Sequence, residues 1–245
     1  TYLLLGEIEP AVKWAQRSVE LLEISPGTNR TGRYFQLLTI LYLYTGRIDK
    51  AEETSLRIKA IAPDAPDTFA TAGLVELYKE DYRAAAHSFR NGLGINPEEL
   101  VWSMGIRLST LLGYSLQASG DSEGAERALQ QSIVAAERAN SKVYKKNVWP
   151  PLIFQDELAV LSIRKEYGLA VEHMADAVHN GWNACQLAAS NPVFTELRAD
   201  PEYQLLCERV KKRLQLMRQE VDERWSGEND SYVSLRGGSA LQGLR

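Results

Sequence analysis

Between Pro66 and Glu99, apolar, small and polar residues alternate on the spacing of one helix–turn–helix unit. Phe69, Tyr82 and Phe89 supply bulk, Gly73 and Ala85 supply the small positions that let two helices cross closely, and Pro97 ends the second helix. Thirty-four residues upstream of Pro97 stands Pro63, and Phe35, Tyr42, Ile48 and Ala51 repeat the same order before it. A period of that length marks a repeat architecture, in which each unit lends its neighbour an apolar surface that neither can bury alone.

The pattern extends in both directions. Tyr2, Gly6, Ile8, Ala11 and Ala15 match the second part of a unit, and Val12, Ala15, Val19 and Leu22 share one face of a helix predicted from about 9 to 24. The turn cluster Ser25–Arg30 stops it. Further helices are predicted near 31–45, 48–61, 67–79 and 82–95, with Gly46 in a tight turn. A fourth unit follows with Gly113, Gly120, Ala125 and Leu129, but Gly73 and Gly113 stand 40 residues apart, which implies a longer first helix over about 98–118 carrying Trp102 and Met104. The basic stretch Asn140–Pro151 interrupts the periodicity, and a fifth unit occupies 151–184 with Phe154, Leu158, Tyr167, Ala170 and Met174 in register.

The wording then changes. Asn191-Pro192-Val193-Phe194 and Asp200-Pro201-Glu202-Tyr203 each place a capping side chain before a proline, a helix start written twice. The second start opens a helix to about Trp225, with Tyr203, Cys207, Val210, Leu214, Met217, Val221 and Trp225 in steps of three and four. Such a stripe covers the open end of a stack or pairs with another helix. The organisation is therefore repeats over 1–184 (a partial unit 1–31, then 32–65, 66–99, 100–139 and 151–184), capping helices over 185–225, and a Gly- and Ser-rich tail over 226–245 expected to be flexible.

These residues resemble the tetratricopeptide repeat family over roughly 1–184. The match holds at Gly73, Gly113, Ala51, Ala85, Ala125 and Ala170 and at Pro63 and Pro97; the early tryptophan of the family's first helix is replaced by Phe35, Phe69 and Phe154. The resemblance implies an all-α, right-handed superhelical solenoid with a C-terminal capping helix, and a concave groove lined by the first helix of each unit. Such grooves take an extended peptide or a helix of a partner protein. Counted along each unit, the groove-facing positions would be Arg33, Gln36, Tyr44, Tyr78, Arg107, Tyr114, Gln117 and Gln155. The clamp used for C-terminal carboxylates is not visible, since Ile40 and Leu74 stand where it needs polar residues. The doublet NPVFTELRADPEYQLLCERV is similar to the close of repeat domains in multidomain bacterial proteins, which carry cyclases, winged-helix regulators or hydrolases. Bacterial cytoplasm and periplasm both suit it, and the opening at TYLLLG, inside the pattern, suits a fragment of a larger protein.

Charge and chemistry narrow the partner to protein. A net charge of −4 argues against direct nucleic-acid binding, and no apolar run approaches the length that spans a bilayer. The two cysteines, Cys185 and Cys207, form neither a metal pattern nor a disulfide framework. Gly120-Asp121-Ser122-Glu123-Gly124 matches the G-x-S-x-G nucleophile wording, but that chemistry needs a strand before the turn. Here Asp121 or Ser122 is expected to cap a helix. His173 and His179 lie six apart, not at the four-residue spacing of a zinc pair, and His87 is isolated, so no metal, cofactor or catalytic residue is expected. The partner expected is a protein or peptide; the alternative is a regulatory, sensory or dimerisation module that controls an attached catalytic or DNA-binding domain, with a second copy paired through 202–225.

Overall fold

The computed structural model describes residues 7–24, 31–97, 100, 101, 105–143, 150–183, 185 and 189–236. It is an all-α stack of antiparallel helix pairs. The elements are α1 (Ile8–Ile24), α2 (Thr31–Tyr44), α3 (Ile48–Ile61), α4 (Pro66–Tyr78), α5 (Tyr82–Ile95), α6 (Leu108–Ala118), α7 (Ser122–Val143), α8 (Pro150–Ile163), α9 (Tyr167–His179) and α10 (Pro201–Arg236). Each helix contacts its sequence neighbour, and α2 also contacts α4 as α6 contacts α8, which is the adjacency of a solenoid.

The helices divide into two kinds. In α2, α6 and α8 six consecutive residues are buried: Leu38–Leu43, Leu108–Gly113 and Leu158–Ile163. Six residues exceed one full turn of 3.6, so over these stretches the helices are enclosed on every side. By contrast α5 buries Ala85, Ala86, Ser88, Phe89, Gly92 and Leu93, and α3 buries Ala51, Thr54, Ser55 and Ile58, each a single stripe with polar residues opposite. The first helix of each pair thus forms an inner layer and the second an outer one.

Small residues set the distance between the layers. A Cβ on Gly73 would stand 2.5 Å from the Phe89 ring, and one on Gly113 would stand 2.7 Å from Leu129. The crossing read from Gly73 and Phe89 is therefore a real close approach.

Two expectations change. The helix expected over 98–118 begins only at Leu108. Before it, Leu100–Val101 pairs antiparallel with Ile106–Arg107 through a turn at Gly105, whose φ is +65°. The cause is tertiary: the Arg107 N–H donates to Asp156 Oδ1 at 2.8 Å, which holds Arg107 extended at the helix threshold. Trp102, Met104 and residues 144–149 of the basic connector lie outside the described residues. Finally, α10 continues past Trp225 to Arg236, so 226–236, read as the start of a loose tail, are helical. Once a helix exists, each further residue adds a hydrogen bond at little cost. Residues 237–245 lie outside the described set.

The two proline starts differ in outcome. Asn191 Oδ1 accepts from Val193 N at 3.0 Å but opens only a 3-10 turn, Pro192–Phe194. Asp200 Oδ1 accepts from the N–H groups of Glu202 and Tyr203 and opens α10. Val193, Phe194 and Leu197 are buried, so this closing segment belongs to the core. Arg213 of α10 donates to the carbonyls of Val178 and Trp182, which ties the last helix to the fifth unit.

Candidate functional site

Of the eight positions assigned to a concave groove, three lie inside the protein. Gln36, Arg107 and Gln155 are buried, at 0%, 8% and 2% exposure. Arg107 Nε faces Asp156 Oδ2 at 3.4 Å, and Asp156 also accepts from Thr110 Oγ1 at 2.7 Å and Ser132 Oγ at 2.9 Å. Burial raises the Asp156 carboxyl above the usual carboxylate range, against the pull of these donors and the Arg107 charge. Gln36 Nε2 donates to Asp67 Oδ1 at 3.3 Å, linking α2 to α4. Burial likewise raises Asp67, opposed by the charge of Arg33. These polar residues are inner-layer staples, because the inner helices lie too close together to leave their facing sides in water.

The remaining positions divide by height along the helices. Arg33 is exposed near the start of α2. Tyr44, Tyr78, Tyr114 and Gln117 come from the C-terminal ends of α2, α4 and α6. Tyr44 and Tyr78 are half-buried, and among the described residues their enclosed hydroxyls have no hydrogen-bond partner of normal geometry. Burial raises both phenols above the usual value.

Tyr78, Tyr114 and Gln117 meet in one cavity of about 420 Å³. Tyr82 and Tyr167, the first residues of α5 and α9, complete an aromatic wall. The Tyr82 and Tyr114 rings meet edge to face, with centroids 6.1 Å apart and planes at 77°. The closing segment supplies the floor. Tyr114 donates to the Pro192 carbonyl at 3.2 Å, and Ser162 donates to the Val193 carbonyl at 2.9 Å. At the rim Tyr167 donates to Glu196, and Lys165 Nζ stands 3.5 Å from the same carboxylate. These contacts hold the Glu196 carboxyl below its usual value, the Tyr167 hydrogen bond first.

Tyr82, Lys165, Tyr167 and the closing segment are absent from the sequence-based set. They sit at the starts of outer helices and in turns, whereas the family resemblance directs attention to first helices. Among the described residues, cavities of similar size lie elsewhere, one of about 410 Å³ beside Cys185 and Cys207 and one of about 430 Å³ beside His173 and Glu157. Neither includes a position from the sequence-based set. Cys185 is buried and Cys207 half-buried, and the two thiols hydrogen-bond to each other, which pushes Cys185 up and Cys207 down.

The G-x-S-x-G wording resolves as a helix start. Gly120 turns the chain at φ +93°, Asp121 Oδ1 accepts from Gly124 N at 2.8 Å, and Ser122 is the first residue of α7. His173 Nδ1 contacts Glu157 at 2.9 Å on the protein surface. Among the described residues no cluster could hold a metal ion, and no helix is long and apolar enough to cross a membrane.

No family model and no curated protein matches the chain. Among solved structures it is similar to a chain described as "Crystal structure of APC/C hetero-tetramer Cut9-Hcn1", with a TM-score of 0.43 and 14% identity. The match covers 88% of this chain and 44% of that one, so this chain spans less than half the length of the solved chain.

Proposed function

We propose that this chain is a non-catalytic protein-interaction scaffold, and that its partner peptide docks at the tyrosine cavity formed where the inner helices end. The observation that carries this reading is the convergence of Tyr78, Tyr82, Tyr114 and Tyr167 on one open cavity. Tyrosine offers large contact area together with a hydrogen-bonding tip, and it is enriched at binding hot spots. The chain's own segment supports the same chemistry: Tyr114 and Ser162 hold the main-chain carbonyls of Pro192 and Val193 without reading their side chains. A peptide laid beside that segment would meet the same kind of wall.

A random-peptide phage library selected on the full chain tests this. Enriched peptides should lose binding to the double variant Tyr82→Ala/Gln117→Ala, whose circular dichroism stays helical. Failure to enrich any peptide, or enrichment indifferent to both substitutions, would rule the cavity out.

A second reading rests on α10. Its stripe is buried at Tyr203, Val210 and Leu214, yet the same stripe continues into Met217 and Val221, which are 46% and 56% exposed. A second copy pairing through this face would make the chain a dimerisation module of a regulatory protein. Light scattering decides it: a strict monomer at high concentration, unaltered by Met217→Lys, removes the reading.

A further inference from the structure

The loops that join inner to outer helices share one backbone feature. Each places a residue in the left-handed region: Gly46 at φ +70°, Glu80 at +60°, Gly120 at +93° and Lys165 at +62°. Glycine enters that region freely, whereas a residue with a Cβ is strained there. Two of the four loops use glycine, and two carry a charged residue at a local cost. Those two, Glu80 and Lys165, both line the tyrosine cavity, and neither glycine does. Backbone strain of this kind clusters where a site needs a particular side chain.

The two charges are not equivalent. Lys165 is already held by Glu196. Glu80 is exposed and makes no ion pair among the described residues. The cavity therefore carries two carboxylates, Glu80 and Glu196, against one engaged ammonium. Its field registers on Tyr114, whose hydroxyl is pushed up to about 12 by burial first and then by Tyr82, Glu80 and Glu196. The walls match that charge. Aromatic faces attract cations, and the corner made by Tyr82 and Tyr114 presents two rings at 77° to one occupant.

Building on the scaffold reading above, we propose that this cavity receives a cationic side chain, arginine or lysine, of the partner peptide. Its charge lies against Glu80 and its aliphatic stem against the tyrosine rings. An acidic side chain would meet Glu80 unopposed and find Lys165 occupied. A neutral apolar one would leave the Glu80 carboxylate without a counter-charge.

Titration of the full chain carrying fluorotyrosine, followed by fluorine NMR, tests this. The probes are the Nα-acetyl amides of arginine, lysine, leucine and glutamate. Arginine and lysine should give saturable shifts and the other two should not. Both Glu80→Gly and Glu80→Gln should weaken the arginine probe about tenfold. Glu80→Gly should do so with an unchanged or higher melting temperature, because glycine suits that backbone; this separates lost binding from lost folding. Leucine or glutamate binding as well as arginine, no binding of any probe, or indifference to Glu80 would overturn the inference. Phage selection then distinguishes the two levels. Enriched peptides that need Tyr82 and Gln117 but contain no Arg or Lys would sink the cationic occupant and leave the scaffold standing, whereas no enrichment at all would sink the scaffold itself.

Discussion

The inner helices α2, α6 and α8 and the outer helices α3, α5 and α9 are about equally long, but they meet their surroundings differently. An outer helix buries one stripe and keeps water on its other side, so its polar residues pair at the surface. Lys79 of the α4–α5 turn meets Glu52 of α3 at 2.9 Å with both side chains nearly half exposed. Over its enclosed stretch an inner helix has no wet side, so each polar group there must find a partner inside or remain unpaired. Arg107 and Asp156 find each other together with Thr110 and Ser132, while the side-chain amide of Gln155 has no partner among the described residues. Polar residues of one chemical type thus do different work in the two layers. In the outer layer they dissolve the protein, and in the inner layer they fix how neighbouring units register.

The largest expected effect follows from removing an inner partner. Asp156→Ala strands the buried Arg107 charge and the Arg107 main-chain N–H, and should cost about 3–5 kcal/mol in urea unfolding. A loss below that of a surface substitution would mean that the inner network is not structural. Next comes the spacing between layers. Gly73→Ala drives a methyl into the Phe89 ring and should cost about 1–3 kcal/mol, whereas the same change at Gly94, where nothing lies within 4 Å of the added Cβ, should not destabilise. Equal losses at the two glycines would dissolve the distinction between crossing and surface positions.

A smaller effect is expected where the layers touch. Glu76 of α4 accepts from Ser88 of α5 at 2.6 Å, and burial raises its carboxyl above the usual glutamate value, opposed by that hydrogen bond. A raised carboxyl keeps its proton to higher pH in the folded chain than in the unfolded one. Its contribution is therefore full below the unfolded value, about 4.3, and is lost as pH rises through the folded value. Glu76→Gln should accordingly gain on the wild type as pH climbs from about 4 to neutrality; melting curves that stay parallel across that range would contradict the burial assigned to it. The smallest effect belongs to the outer surface. Arg127→Ala removes an exposed pair with Glu123 and should change stability by less than about 0.5 kcal/mol.

Local pattern carried much of this protein. The helix over 48–61 follows from its apolar spacing, the crossing at Gly73 from a small residue opposite Phe89, and the starts at Asn191 and Asp200 from a capping side chain before proline. These features depend on residues within a turn or two, or on the repeat period, and both are written along the chain. The cavity was legible in the sequence only in part. Tyr78, Tyr114 and Gln117 reach the cavity, but Gln36, Arg107 and Gln155 occupy equivalent-looking positions and end up buried.

What divides those two groups is how closely neighbouring units approach and what lies over them, and neither distance is encoded in one unit alone. The hairpin before α6 shows the same limit, since a carboxylate 49 residues away decides where that helix begins. So does the closing segment, which meets Tyr114 across a separation of 78 residues. Periodicity sets which residues face inward, because it is a property of each helix. The tertiary structure alone decided which inward face remains open, because openness depends on the sum of all the units and on the segment that returns across them.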